Sequence, residues 1–448
     1  MVELADAEDL GSSAKRRVGS SPIFRTMKCL SRNAGAFFIP CIESMVSLMK
    51  NVKALVEKYL FIVLMAALLV VTVSMLFTLK AVNDYQKSVS EIFDGNKDLI
   101  SKMSEIERLR SEYGIYGDPD EAMSEYYALN GYMAGFNDKY ARYSDEAETS
   151  TNISNDAGDG IGMGVSVVYE QDGLYVADVY AGSAAYNAGI KAGDLITSVN
   201  KVSYNADDNS EFNSELKGNV GDILTVGFVR DNETKYLDLE LANFTINPVS
   251  SDTSDSTVAY VKISDFNDLT DDEFIKQMTE LKNQGYSKYI LDLRNNHGGL
   301  YDSVVKMIDF VCPKGLITRV EYGNGKVSEE YSDTSEFNGD IVILVNGETA
   351  SASELFSQSL KDFGKAYIIG TSTYGKGTVL QTFMLKDGTS ITLSTGRYLS
   401  HGLVDVDGVG VQVDKIVELS NDKLATLYKL DKSDDEQYSA AYDYITSK

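Results

Sequence analysis

Three short runs in this sequence bring together serines, a lysine and paired glycines where an α/β sheet would gather them. The first, Asn346-Gly-Glu-Thr-Ala-Ser-Ala-Ser-Glu354, follows the apolar run Ile341–Val345 and feeds a helical pattern over Ser353–Phe363. A serine at such a strand-to-helix turn sits near the positive end of the helix dipole, beside amides that can bind an oxyanion. The second run, Arg294-Asn-Asn-His-Gly-Gly299, follows Tyr289–Leu293, and its two glycines let backbone approach a ligand closely. The third, Tyr374-Gly-Lys-Gly377, follows Ala366–Ile369. Sites in open α/β sheets form at the carboxyl ends of strands, so the three runs share one rim.

A nucleophilic serine needs a base. The chain has two histidines, His297 and His401, and neither has a strand-end carboxylate that would complete a triad. Lys376 can serve instead if burial keeps its amine neutral. Taken alone, Ser351 and Ser353 are equally readable as helix N-caps, and Lys376 reads first as a surface lysine. Their joint placement at neighbouring strand ends carries the catalytic reading. With two histidines and no Cys-x-x-Cys pair, no metal is expected.

These runs need elements to hold them. Val258–Ile263, Tyr289–Leu293, Ile341–Val345 and Ala366–Ile369 read as strands, alternating with helices over Asp271–Gln284, Tyr301–Phe310 and Ser353–Phe363, and strands near Thr378–Leu385 and Thr389–Tyr398 close the pattern. This rhythm predicts a layered α/β domain with a largely parallel sheet. Upstream, Gly160–Leu241 is a β-rich module, Asp145–Gly160 a polar linker, and Lys80–Tyr143 helical with breaks at Gly114 and Gly117-Asp-Pro119.

Of 448 residues, 43% are apolar and 24% charged, a folded composition, and the net charge of −26 argues against nucleic acid as a partner. Residues 1–58 are net +3 and the remainder net −29. Between Lys58 and Lys80 lie 21 uncharged residues, Tyr59–Leu79, which at 1.5 Å per residue span ~31 Å and predict one transmembrane helix. Lys50, Lys53 and Lys58 outweigh Lys80 and Lys87 across it. The N-terminus is therefore expected in the cytoplasm, with residues 1–58 partly disordered, and the acidic bulk outside the cell membrane in a single-pass arrangement. Cys29 and Cys41 fall on the cytoplasmic side and Cys312 outside, so no intrachain disulfide is expected in the outer part.

The stretch from about Gly131 to Asp414 resembles the carboxyl-terminal processing peptidases, serine proteases with an embedded PDZ domain. The likeness rests on an ordered set: Gly131-Tyr-Met-Ala-Gly-Phe-Asn-Asp138, Gly160-Ile-Gly-Met-Gly-Val165, Ala181–Ile190 with Gly193-Asp194, Ile290–Leu300, Thr349–Glu354, Tyr374–Val379, and Gly408-Val-Gly410 with Asp414. The resemblance implies a ClpP/crotonase-like α/β layered protease domain with an inserted PDZ domain and an N-terminal helical segment, to which the chain's own apolar run adds one transmembrane helix. Its divisions are 1–58 cytoplasmic, 59–79 transmembrane, 80–150 helical stalk or cap, 155–245 PDZ, 250–416 protease and 417–448 an acidic helical tail.

By position, the resemblance makes Ser351 the nucleophile, Lys376 the general base and Ser353 structural. It places the oxyanion hole at the amide of Ala352 with one from Gly298 or Gly299. The loop Gly160, Ile161, Gly162, Met163 and Gly164 would hold the C-terminal carboxylate of a peptide added to a sheet edge. Two positions depart from the family pattern. His297 stands where Pro or Gly is usual, and Leu380 where a glutamine orients the lysine, with Gln381 one residue late. Strand side chains alternate faces, so Gln381 fills that role only if a bulge intervenes.

The implied function is a membrane-anchored serine endopeptidase that cuts proteins near free C-termini without a cofactor, with a homo-oligomer left open. The alternative is a catalytically silent PDZ scaffold binding protein C-termini, for which Leu380 and His297 speak.

Overall fold

The computed structural model describes residues 38–448 with the exception of residue 217. Cys29 and most of the segment expected to be partly disordered lie outside the described residues. Residues up to Asp118 and those from Pro119 onward form two units.

In the first unit, α1 (Phe38–Gly95) is one long helix and α2 (Lys97–Tyr113) a shorter one. Residues 38–58, expected to be partly unstructured, belong to α1. The apolar stretch within Met45–Tyr85 is long enough to cross a membrane, and no part of it is buried in protein. Nothing in α2 is buried either, and Arg108 bonds Glu105 and Glu112 along its surface at 2.7 and 2.6 Å. An exposed helix of this kind is supported by i,i+3 and i,i+4 pairs rather than by a core.

The second unit opens with α3 (Glu121–Met133), N-capped by Asp120, then β1 (Arg142–Ser144) and α4 (Glu146–Asp156). The expected linker over 145–160 is thus largely a helix. Asp145 caps its N-terminus by accepting the Glu148 N–H at 2.8 Å. Buried Thr149 bonds Ser390 at 2.9 Å, so tertiary docking overrides the polar composition. The strand β2 (Asp159–Gly162) leads into the PDZ module: β3 (Val165–Tyr169), β4 (Leu174–Val179), α5 (Ala184–Ala188), β5 (Leu195–Val199), β6 (Val202–Ser203), α6 (Ser210–Glu215), β7 (Ile223–Arg230) and β8 (Glu233–Glu240). Its sheet runs β3-β4-β5-β7-β8, leaving β3 on an edge. The module has its own core, including Leu174, Val176, Ile196, Phe212, Val226 and Phe228. The strand β9 (Ala242–Thr245) pairs with β2 and closes the insertion.

The remainder contains β10 (Val249–Asp252), β11 (Ala259–Ile263), α7 (Thr270–Asn283), β12 (Lys288–Asp292), α8 (Tyr301–Val311), β13 (Leu316–Tyr322), β14 (Val327–Tyr331), β15 (Asp340–Val345), α9 (Ala352–Asp362), β16 (Ala366–Gly370), β17 (Thr378–Met384), β18 (Ser390–Leu399), β19 (Lys415–Ile416), α10 (Asn421–Ala425) and α11 (Glu436–Thr446). One sheet runs β10-β11-β12-β15-β16-β19, parallel except for β10. Its central strands read as unbroken apolar runs because both faces are covered. Phe274, Met307 and Phe356 from α7, α8 and α9 pack on one face, and Ala441 and Ile445 of α11 pack with Ile290 and Leu344 on the other. A second, antiparallel sheet joins β1, β18, β13 and β14, with β17 on β18. The β13–β14 hairpin has no counterpart in the sequence-based expectation. Segment 131–144 is fastened to β18, as Asp138 accepts both the N–H and the hydroxyl of Ser394 at 2.8 and 2.9 Å.

Candidate active site

The three runs meet at the carboxyl ends of β12, β15 and β16. Ser351 stands immediately before α9 with φ 55° and ψ −116°, a strained conformation for a residue with a Cβ and one that concentrates at functional positions. The loop leading to it is tied to β12's loop: Thr349 Oγ1 donates to the Leu293 carbonyl at 2.8 Å and the Ala350 N–H to the Asn296 carbonyl at 3.0 Å.

Glu354, fully buried on α9, organises this region. Its Oε2 accepts the backbone N–H groups of Ser351 and Lys376, both at 2.8 Å. Its Oε1 accepts the Gly375 N–H at 2.8 Å and the Thr373 hydroxyl at 2.5 Å. The Tyr398 hydroxyl lies 2.9 Å from the Ser351 carbonyl and 2.7 Å from the Lys376 carbonyl, sharing its proton between them. The backbones of the candidate nucleophile and base are therefore joined twice, which leaves both side chains for the cleft. Neither Glu354 nor Tyr398 was given a role from sequence. A glutamate three residues after a strand-end serine resembles a capping box, and that was the available signal.

Ser351 and Lys376 line one cleft of about 230 Å³ with Ala352, His297 and Gly299, and with an apolar wall that includes Leu300, Val304, Leu355, Val379 and Leu380. Burial lowers the affinity of the Lys376 amine for a proton; the positive charges of Arg142 and Lys139 act in the same direction, and Glu354 opposes them. The net displacement is downward, toward the neutral amine a base requires. The Tyr140 ring lies under the amine, 4.6 Å from its centroid, a neighbour that sequence reading missed.

Of the expected oxyanion pair, the geometry separates the two glycines. The Gly298 N–H is already donated to Asn296 Oδ1 at 2.9 Å, so Gly298 is corrected from a donor to a spacer. At φ 101°, a Cβ there would meet Ser351 Cβ at 2.8 Å and the Ala352 nitrogen at 2.9 Å, which only glycine avoids. Gly299 lines the cleft, and its N–H has no acceptor among the described residues. Ala352 opens α9, where helix geometry leaves the N–H without an intrahelical partner. Ser353 faces inward, donating to the Asn296 carbonyl at 3.1 Å.

Gln381 is exposed and does not line the cleft, whereas Leu380 does. A bulge is present, but Val379 faces Gly396 and Leu380 faces Ser394, so the extra residue, Thr395, belongs to β18. No extra residue enters β17 to turn Gln381 inward, and it stays outside the cleft. The expectation that it orients Lys376 is corrected accordingly. His297 leaves the glycine loop intact and sits exposed at the cleft's edge. Among the described residues no group of three or more His, Cys, Asp or Glu side chains is arranged to hold a metal.

In the PDZ module, Gly162 and Gly164 have φ 140° and 77°. The Met163 carbonyl accepts the Ala185 N–H at 2.8 Å, and the Gly164 carbonyl accepts from Tyr180 N–H and Ser183 Oγ at 3.0 and 3.1 Å. The loop's carbonyls are thus fixed against α5. Gly160 is buried under Phe244, and Ile161 is exposed.

A layered α/β domain with a serine and a lysine at neighbouring strand ends, preceded by a PDZ module, defines the class. The chain carries the two parts of the carboxyl-terminal processing peptidases: residues 257–417 match peptidase family S41, and residues 162–241 match the PDZ domain. It is 30% identical over 332 residues to a probable CtpA-like serine protease of Staphylococcus aureus, covering 72% of this chain and 66% of that one. It is 29% identical to a carboxyl-terminal-processing protease of Picosynechococcus, covering 73% and 80%. The chain spans under two thirds of the length of the Staphylococcus relatives, 59% to 66%. The photosystem II D1 C-terminal processing protease aligns with TM-score 0.44 and 24% identity over 72% of this chain and 91% of that one.

Proposed function

We propose that this chain is a serine endopeptidase acting near protein C-termini through a Ser351/Lys376 dyad. Ser351 Oγ attacks the scissile carbonyl while its proton passes to Lys376 Nζ. The oxyanion is received by the N–H groups of Ala352 and Gly299, and the protonated lysine returns its proton to the leaving amine. Water then releases the acyl group by the same route. The observation that carries this reading is the union of Ser351 and Lys376 on Glu354 at one cleft. The layering is that of the ClpP/crotonase type, and substrates are peptides or proteins whose free C-termini the PDZ module captures.

The apolar stretch Tyr59–Leu79 anchors the chain in the cell membrane as one transmembrane helix, with the second unit outside. Protease added to intact protoplasts then digests the chain beyond Lys80, and protection of that region reverses the topology.

A fluorophosphonate probe tests the chemistry: wild type is labelled and Ser351→Ala is not. Equal labelling of both, or of neither, favours the silent PDZ scaffold, for which Leu380 in the cleft is the specific observation.

A further inference from the structure

The C-terminal tail makes contacts that the reaction chemistry does not account for. Near its end, Asp435 is buried and accepts Arg294 Nη1 at 2.7 Å, while Gln437 Oε1 accepts the same nitrogen at 3.1 Å. The rest of that guanidinium is held by Asp292, with Nε at 2.9 Å and Nη2 at 2.6 Å, and Tyr260 donates to Asp292 at 2.7 Å. Asp435 Oδ1 also caps α11, accepting the N–H groups of Gln437 and Tyr438 at 3.0 Å. The helix and the arginine are thereby bound into one buried unit.

Arg294 lies two residues before Asn296, whose side chain holds the Gly298 N–H and whose carbonyl receives Ser353 Oγ and the Ala350 N–H. The oxyanion loop therefore leaves β12 through a residue fixed by the tail.

The tail also contacts the PDZ module. Tyr428 donates its hydroxyl to Glu170, and Lys429 reaches the same carboxylate at 2.5 Å. The Tyr428 ring packs edge-on against Tyr175 with centroids 5.0 Å apart. Glu170 follows β3 directly, so this contact sits on the hairpin of the edge strand. Between the two ends, Lys432 pairs with Asp252 at 2.5 Å and lies 4.0 Å from the centroid of the Tyr260 ring.

We infer that residues 427–446 are a strap: Asp435 positions the oxyanion loop through Arg294, and Tyr428 and Lys429 tie that loop's setting to the PDZ hairpin. This rests on the peptidase reading above. Asp435 touches no reacting atom and is a positioning residue. Losing its carboxylate leaves Arg294 Nη1 short of a charged partner in a buried place, and a loop displaced by a fraction of an ångström misaims the Gly299 N–H.

The test uses the full chain, a C-terminally amidated peptide and its free-ended twin, with hydrogen exchange followed over residues 294–300. In Asp435→Ala, kcat on the amidated peptide is expected to fall about ten-fold or more, as for loss of an oxyanion donor's aim, with KM within about two-fold. Exchange quickens in 294–300, and Asp435→Asn recovers part of the rate. Glu170→Gln leaves turnover of the amidated peptide unchanged but shrinks the advantage of the free-ended one. Unchanged kcat and exchange in Asp435→Ala, or loss of protection spread evenly over the whole fold, overturns the positioning role. An unaltered preference for the free-ended peptide in Glu170→Gln overturns the tie to the PDZ hairpin. Absence of Ser351-dependent turnover in wild type sinks the peptidase reading instead, and exchange over 294–300 in wild type against both Asp435 variants still decides the strap.

Discussion

The N–H groups of Ser351 and Lys376, 25 positions apart in sequence, meet on a single oxygen, Oε2 of Glu354, each at 2.8 Å. Their carbonyls meet on the Tyr398 hydroxyl. Two different strand ends are thus held in register by backbone bonds. The relative position of hydroxyl and amine does not depend on a direct hydrogen bond between them, and proximity of this kind contributes a large part of the rate in acyl transfer.

Replacing Glu354 by Gln keeps the shape but puts an amide where four donors converge, so one or more N–H groups lose their acceptor. Cleavage is expected to fall about 100-fold or more, as for a displacement of the reacting groups by about 1 Å. Tyr398→Phe, which removes only the shared hydroxyl, should cost less. Circular dichroism and turnover of purified variants give the comparison, and a Glu354→Gln enzyme as active as wild type contradicts the clamp.

Ser351→Ala and Lys376→Ala should each abolish cleavage while the fold persists, because the two act as a unit. Ser353→Ala loses one buried hydrogen bond to Asn296, worth about 1 kcal/mol of stability, and keeps most of its activity. A dead Ser353→Ala beside an active Ser351→Ala would exchange the roles of the two serines.

The strand-helix order of the peptidase domain was legible because its apolar runs are bounded by glycine turns and its helices carry a clear period. The 145–160 segment was not, since its helix is held by Asp145 and by Thr149 reaching Ser390, 241 residues away. Ser351 and Lys376 stood out by residue type. The role of Glu354 did not, because its four donors come from both sides of a loop that only the folded chain brings together. Gln381 shows the opposite case: its residue type suited the task, but the bulge lies on the partner strand rather than on β17, and Gln381 stays exposed outside the cleft.

Activity should depend on pH through Lys376. Burial and the nearby Arg142 and Lys139 charges lower its pKa below the usual lysine value. Below that point the amine is an ammonium ion and cannot accept the serine's proton; above it the neutral base accumulates. The rate is therefore expected to rise with pH through the lowered value and then level off. A profile of kcat against pH that falls over the same range excludes lysine as the base.

Leu380 occupies the cleft position that a carboxamide would use to steer the amine. Leu380→Gln should raise kcat a few-fold by orienting Lys376, whereas Gln381→Ala, on the exposed face, should stay within about two-fold of wild type. Steady-state kinetics of both variants decide the matter. Sensitivity at Gln381 together with indifference at Leu380 would mean that β17 shifts its register when substrate binds.

The PDZ module should make turnover depend on a free substrate C-terminus even though the cut falls upstream of it. Its edge strand β3 offers unpaired backbone for an added peptide strand, and the preceding loop has its Met163 and Gly164 carbonyls fixed against α5 and the residues before it. Gly160–Gly162 pair with β9, so the carboxylate is expected on the N–H groups at the Met163–Gly164 end of the loop, a charge-assisted contact stronger than a neutral one. Binding there is remote from Ser351, and it is expected to speed cleavage by tethering the chain and raising the local concentration of the scissile bond. Amidating the terminus removes the charge, so the amidated peptide should be cut about ten-fold more slowly at low concentration. Gly162→Ala has room for its methyl group but cannot keep φ 140° without strain. That variant should lose the preference while retaining its rate on the amidated peptide. Matched peptides assayed with wild type and Gly162→Ala make the comparison, and equal cleavage of both peptides by wild type would assign the module a purely structural part.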